Sequence, residues 1–214
     1  MILYGSSVSP FVRKVLAFAA EKGVELELKP TGAPNWDPEF LDASPFRKMP
    51  ALRDGDFTLA DSTAIIDYLD SLNPEPNLIP HEPRAHAKTI WFEEFADTIS
   101  CGASGKIFFN RIVAPLFYKR PGDEAAAAAA QENELPPVYD YLERTIPASG
   151  WLVEDRLTLA DIAVASGFVN LLHCRIEVDA KTHPVLAAYI AKMHARPSYA
   201  GWVAREKAVF GKRG

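Results

Sequence analysis

Lys48-Met49-Pro50-Ala51-Leu52, with Asp61-Ser62 nine residues beyond Leu52, is the stretch on which the fold turns. A proline after an apolar residue at the start of a strand invites a cis peptide, because X–Pro steps lose most of the trans preference. Ala51-Leu52-Arg53 and Phe57-Thr58-Leu59 flank Asp54-Gly55-Asp56, which predicts a β-hairpin. Ser62 to Leu72 then places Ile65, Ile66, Leu69 and Leu72 on one side of a helix. A cis bond at Pro50 would turn the Met49 backbone outward, where its N–H and C=O can pair with a ligand's main chain. Asp61 offers a carboxylate for an ammonium. Ser62 offers a hydroxyl and helix-start N–H groups for a carboxylate.

Upstream, residues 2–5 read as a short buried strand. Ser9 is a good N-cap and Pro10 suits the first helical position, and Phe11, Val15, Leu16 and Ala19 recur at helical spacing until Gly23. Glu25 to Lys29 alternates polar and apolar, the period of a half-exposed strand, and one helical turn is expected over residues 37–43. The order β-α-β-α-β-β-α, with the proline ahead of the hairpin, is a thioredoxin-like layout. Taken with it, an ammonium partner, a carboxylate partner and a backbone clamp outline the γ-glutamyl end of glutathione.

Downstream the texture changes. Pro74, Pro76, Pro80 and Pro83 crowd the run from Asn73 to Arg84, which reads as a linker. All that follows reads as helix. One stretch runs from about Arg84 to Tyr118, loosened by Gly102 and Gly105, and another covers about 123–146 with six consecutive alanines. Thr158-Leu159-Ala160-Asp161 opens a buried helix with a capping box. A further helix starts near Pro184, and a last one follows Ser198. The expected organisation is a thioredoxin-like domain at 1–76, a linker at 77–85 and an all-helical domain at 86–214.

The chain has 214 residues, 48% of them hydrophobic and 24% charged, within the range of a globular protein of one large or two modest domains. A net charge of −5 and the lack of a dense Lys/Arg stripe argue against nucleic acid as the main partner. No run approaches the roughly 18 apolar residues of a membrane span. The start of the chain lacks the basic and apolar regions of a secretory signal. Cys101 and Cys174 suggest no disulfide framework. A cytoplasmic location is the simplest expectation. His81 and His86 have no third ligand nearby, so no metal is expected.

These motifs together resemble the cytosolic glutathione transferases over essentially the whole chain: Ser-Pro-Phe at the first helix, Lys-Met-Pro-Ala-Leu, the acidic-Ser pair, the Pro-rich linker and Leu157-Thr158-Leu159-Ala160-Asp161-Ile162. The chain is most similar to serine-type, plant-type-like members. The resemblance implies that Ser9 faces the glutathione sulfur and that the Met49 backbone pairs with the cysteinyl part beside a cis-Pro50. It further implies that Asp61 and Ser62 hold the γ-glutamyl group and that Lys48 approaches the glycine carboxylate, with Phe11 and Trp36 completing the glutathione site. Asn35-Trp36 stands where the plant-type pattern carries basic residues, so Lys48 is left to bear that carboxylate alone. Pro10 after Ser9 departs from the Ser-Ser-Cys of isomerase-like members, and position 9 lacks the cysteine of omega-like reductases.

A free thiol with a pKa of about 8.5 is only a few per cent ionised at pH 7, and lowering it by about two units takes roughly 2.7 kcal/mol. A hydrogen bond to a charged group supplies about 1.5–3 kcal/mol, and a helix N-terminus adds about 0.3–1 kcal/mol. Ser9 can provide both as a donor, without acting as nucleophile or base. Phe108, Phe109, Phe117 and Tyr118, with Arg111 and Ile112, are the candidates for an acceptor pocket, with Phe108, Arg111 and Ile112 foremost. The expected function is conjugation of glutathione to a hydrophobic electrophile by a homodimeric detoxification enzyme without a metal. The alternatives are a glutathione-dependent peroxidase or reductive dehalogenase or lyase, and a non-catalytic glutathione- or ligand-binding scaffold.

Overall fold

A computed structural model describes residues 1–32 and 36–210. By packing, the chain divides into two compact units, Met1–Leu78 and Ile79–Gly214.

In the first unit, β1 (Ile2–Tyr4), β2 (Glu27–Lys29), β3 (Ala51–Asp54) and β4 (Phe57–Ala60) form one sheet in the order β2-β1-β3-β4. The β1–β2 pair is parallel, joined through α1 (Pro10–Glu21), and the other two pairs are antiparallel. α2 (Pro38–Ala43) precedes β3, and α3 (Ser62–Leu72) follows β4. This is the thioredoxin-like layout. Register aligns Leu3, Leu52 and Leu59 in one row and Tyr4, Ala51 and Ala60 in the next. Side chains alternate across a sheet, so these rows face opposite ways. The Tyr4 row packs with Phe40 and Ala43 of α2.

α1 ends because Gly23 takes φ +70°, which a glycine adopts without steric cost. Val24 N–H then reaches the Ala19 carbonyl at 2.8 Å and Gly23 N–H the Ala20 carbonyl at 3.1 Å, a Schellman closure. β2 is shorter than expected, beginning at Glu27 rather than Glu25. Glu75–Pro76 is cis, as is Met49–Pro50; only the latter was expected.

The second unit is helical among its described residues. Its long first helix comprises α4 (Pro83–Glu94), a π-helical stretch (Phe95–Ser100), α5 (Cys101–Phe108), a second π-helical stretch (Phe109–Val113) and α6 (Ala114–Leu116). The expected loosening at Gly102 and Gly105 is corrected: both lie within regular helix, and the irregular turns flank them. The expected helix over 123–146 is two, α7 (Glu124–Asn133) and α8 (Leu135–Thr145). Pro136-Pro137 occupy the first turn of α8, where their missing N–H groups cannot continue α7. α9 (Leu159–His173), α10 (Pro184–His194) and α11 (Pro197–Phe210) complete the unit. α9 is its buried centre, and the capping box of Thr158 and Asp161 is formed. Asp161, with no exposure, also accepts Leu152 N–H at 3.0 Å and the Tyr189 hydroxyl at 3.2 Å. No described helix is long and apolar enough to cross a membrane.

Candidate glutathione site

The sheet register decides where the candidate residues meet. Tyr4, Ala51 and Ala60 are paired across three strands, and Tyr4 also pairs with Lys29 of β2. The chain leaves β1 after Tyr4 toward Ser9, enters β3 from Met49-Pro50, and leaves β4 after Ala60 into Asp61-Ser62. Three segments far apart in sequence therefore share one end of the sheet. Gly5 brings two of them close: a Cβ there would lie 3.6 Å from the Met49 Cβ and only 2.5 Å from the Val12 side chain, at φ +154°. A side chain at position 5 has no room.

Ser9 is the N-cap of α1 in extended conformation, and its carbonyl accepts Arg13 N–H at 2.9 Å. Its hydroxyl makes no capping bond to the helix. That differs from the usual use of an N-cap serine, whose oxygen accepts from the first-turn amides. Tyr4, another hydroxyl at this sheet end, is committed elsewhere. It is fully buried and donates to Glu39 at 2.9 Å, and burial together with that carboxylate pushes its pKa up. A phenol whose proton is already given to Glu39 is poorly placed to support a thiolate.

Met49–Pro50 is cis, Pro50 is buried, and Met49 packs at the edge of the Tyr4–Phe40 cluster. Neither the N–H nor the C=O of Met49 has a hydrogen-bond partner among the described residues. Ser44, buried, braces the approach: its hydroxyl donates to the Lys48 carbonyl at 2.7 Å and accepts Lys48 N–H at 3.1 Å. The Lys48 side chain is exposed and in no ion pair among the described residues.

Asp61 caps α3. Its Oδ1 accepts Thr63 N–H at 2.9 Å and Ala64 N–H at 3.3 Å. The backbone sits at φ +83°, a strained region for a side-chain-bearing residue, of a kind that clusters at functional sites. Ser62, buried to 3% exposure, stands at the first helical position. The sequence treats Asp61-Ser62 as a pair of ligand groups; the structure adds that Asp61 serves its own helix first.

Phe11 lies half-buried in the first turn of α1. Trp36 stacks on Phe40, centroids 5.4 Å apart at 16°, so one ring face already belongs to the core cluster. Asn35 lies outside the described residues. A polar network missed by sequence reasoning joins this sheet end: Lys29 Nζ meets Glu39 at 2.7 Å and Asp37 at 3.1 Å. Glu39, then Asp37, hold the Lys29 ammonium well above its usual pKa, and Lys29 in turn lowers both carboxyls. No local pattern announces it, since it forms only when Glu39 of α2 meets Tyr4 of β1 and Lys29 of β2.

The acceptor candidates fare differently. Phe108 and Ile112 are each 5% exposed, and Phe108 meets Phe210 edge-on at 6.4 Å. Arg111 forms a two-pronged pair with Glu124, at 2.6 and 3.0 Å, and donates to Gln131 at 2.6 Å. Two of these three candidates are thus packed, and the third is committed to partners within its own unit. The helical period is the reason, because it turns Phe108 and Ile112 to the packed side of the same helix. No cluster of three or more His, Cys, Asp or Glu side chains among the described residues is arranged to hold a metal ion.

Residues 3–77 match the model of the glutathione S-transferase N-terminal domain, and residues 108–206 that of its C-terminal domain. The chain belongs to the glutathione S-transferase family. A glutathione S-transferase of Hyoscyamus muticus is 30% identical over 205 residues, spanning 93% of this chain and 95% of that one. A crystal structure of a glutathione S-transferase from Rhodospirillum rubrum F11 superposes with a TM-score of 0.85 at 25% identity, covering 92% of this chain and 89% of its own. Glutathione S-transferase-I bound with lactoylglutathione superposes at 0.81 with 25% identity, covering 95% and 98%. The thioredoxin-like unit followed by a helical unit is thus the glutathione S-transferase arrangement.

Proposed function

We propose that this chain conjugates glutathione to hydrophobic electrophiles, with Ser9 as the catalytic donor. The observation that carries the proposal is the register row Tyr4–Ala51–Ala60, which delivers the Ser9 turn, the Met49 backbone and the Asp61-Ser62 helix start to one sheet end. In this reading Met49 N–H and C=O pair with the cysteinyl backbone. The second Asp61 oxygen meets the γ-glutamyl ammonium, and Ser62 with the α3 N-terminus takes the carboxylate. Lys48 supplies the positive charge for the glycine carboxylate.

The Ser9 hydroxyl, unspent on capping, donates to the sulfur and favours the thiolate. The thiolate attacks an electrophilic carbon, an S–C bond forms, and in substitution the leaving group departs with its electron pair. Binding and activation are separated in this site, since the clamp and the donor sit on different segments. We place the enzyme in the cytoplasm as a homodimer with a detoxification role, in keeping with its family.

The test pairs glutathione calorimetry with turnover of 1-chloro-2,4-dinitrobenzene and of cumene hydroperoxide. Glutathione binding with aryl conjugation supports the proposal. Peroxide reduction without conjugation replaces it with a peroxidase, and binding without either turnover replaces it with a scaffold.

A further inference from the structure

Ser44 follows α2 as its C-cap: its N–H donates to the Phe40 carbonyl at 2.7 Å, and the residue is 1% exposed. Its hydroxyl then closes a turn onto Lys48. The Ser44 Oγ accepts Lys48 N–H at 3.1 Å and donates to the Lys48 carbonyl at 2.7 Å, while the Ser44 carbonyl accepts Arg47 N–H at 2.9 Å. Arg47 takes φ +56° within that turn. The other end of α2 is anchored as well, since Glu39 meets Tyr4 of β1 and Lys29 of β2. The turn from Ser44 to Lys48 therefore hangs from a helix that is itself held in place.

The consequence falls on Met49. A trans peptide plane carries its C=O and its N–H on opposite edges, and the Lys48–Met49 bond is trans. The Lys48 carbonyl points at Ser44, so the Met49 N–H on the same plane points away from it. That N–H has no partner among the described residues. The following plane offers only a carbonyl, because Pro50 has no N–H. One buried hydroxyl thus sets the direction of the amide donor that stands at the entrance to β3.

We propose that Ser44 is a positioning residue for glutathione, its hydroxyl aiming the Met49 N–H at the cysteinyl backbone. The inference rests on the assignment of the Met49 backbone to the cysteinyl part of glutathione. Ser44 does not touch the ligand. It acts through the Lys48–Met49 plane, which is held before glutathione arrives, so the ordering cost of that plane falls on folding rather than on binding. Ser9 acts on the sulfur from a different segment. Ser44 therefore governs affinity and leaves ionisation of the bound thiol alone.

Ser44→Ala removes the hydroxyl without adding bulk. Kd and KM for glutathione should rise about tenfold through loss of a preorganised contact, while kcat at saturating glutathione and the pKa of the bound thiol stay native. Ser44→Thr keeps the hydroxyl and should return both constants toward the native values. Calorimetry and turnover of 1-chloro-2,4-dinitrobenzene read these quantities, with circular dichroism to confirm native helix content. Amide hydrogen exchange of the unaltered chain reads the same device without a variant. Lys48 N–H should exchange slowly with or without glutathione, and Met49 N–H should become slow only when glutathione is added. A Ser44→Ala chain that binds glutathione normally, a fall in kcat as large as the rise in KM, or a Met49 amide that does not respond although glutathione binds would each overturn the role of Ser44. A native chain without affinity for glutathione overturns the glutathione reading itself, and this inference with it.

Discussion

Asp61 Oδ1 accepts the Thr63 amide at 2.9 Å, so one oxygen of the proposed ammonium partner belongs to α3 before any ligand arrives. Two roles on one carboxylate can be separated. Asn caps helices as well as Asp does and tolerates positive φ, whereas Ala does neither. Asp61→Asn should therefore keep native stability and weaken glutathione binding by well over tenfold, given about 2–5 kcal/mol for truncating one side of a desolvated charge pair. Asp61→Ala should lose the same affinity and in addition about 1 kcal/mol of stability. Calorimetry and thermal denaturation check the two effects; an Asp61→Asn protein that binds glutathione normally removes Asp61 from the ligand's shell.

Ser9 makes no side-chain bond to its own helix, so Ser9→Ala should cost little stability, unlike a usual cap deletion. Glutathione binding should stay near native. The pKa of the bound thiol should rise, moving the alkaline-going limb of the rate profile to higher pH, and conjugation at pH 7 should fall by about one to two decades, in line with about 1.5–3 kcal/mol. Thiolate absorbance of bound glutathione against pH, measured beside Ser6→Ala and Ser7→Ala, assigns the donor. A shift confined to the Ser7 variant would transfer the role to Ser7.

Tyr139 is a hidden weakness. Its hydroxyl is buried without a hydrogen-bond partner among the described residues, while its ring stacks on Phe168 at 5.8 Å. Burial pushes its pKa from 10.0 up to about 12. A raised folded-state pKa contributes stability that is whole below pH 10.0 and is lost as pH rises toward about 12. Tyr139→Phe should leave the protein as stable or up to about 1 kcal/mol more stable at neutral pH, since an unsatisfied buried group is removed. It should also flatten the alkaline loss in that window. Denaturant melts across pH test both; a clear destabilisation at pH 7 means that the hydroxyl has a partner after all.

Asp161 is the opposite case. Fully buried, it accepts Thr158 N–H at 2.9 Å, Leu152 N–H at 3.0 Å and the Tyr189 hydroxyl at 3.2 Å. Asp161→Ala strands these donors and should cost about 3 kcal/mol or more, because bonds to charged groups are each worth about 1.5–3 kcal/mol. Chemical denaturation measures it. A loss below about 1 kcal/mol would reduce Asp161 to an ordinary cap.

Much of the fold was legible because its signals are local. Ser9-Pro10 starts α1, Gly23 ends it, Asp54-Gly55-Asp56 turns the hairpin, and Thr158 with Asp161 caps α9. Each depends on residues within a few positions of one another. Pro136-Pro137 was local too, yet the strong helix propensity of the alanine run masked the break it makes.

What the sequence by itself determined is the set of parts: the elements of the sheet unit, the cis Met49–Pro50 step, and the chemical types at Ser9, Asp61 and Ser62. Tertiary structure alone decided their company. Register across β1, β3 and β4 put those parts at one sheet end, and packing spent one Asp61 oxygen on α3, one Trp36 face on Phe40, and the Arg111 fork on Glu124. The physical reason is range. Dihedral preference and capping act over a few residues, whereas burial and ion pairing are settled by whichever groups the folded chain brings within a few ångströms.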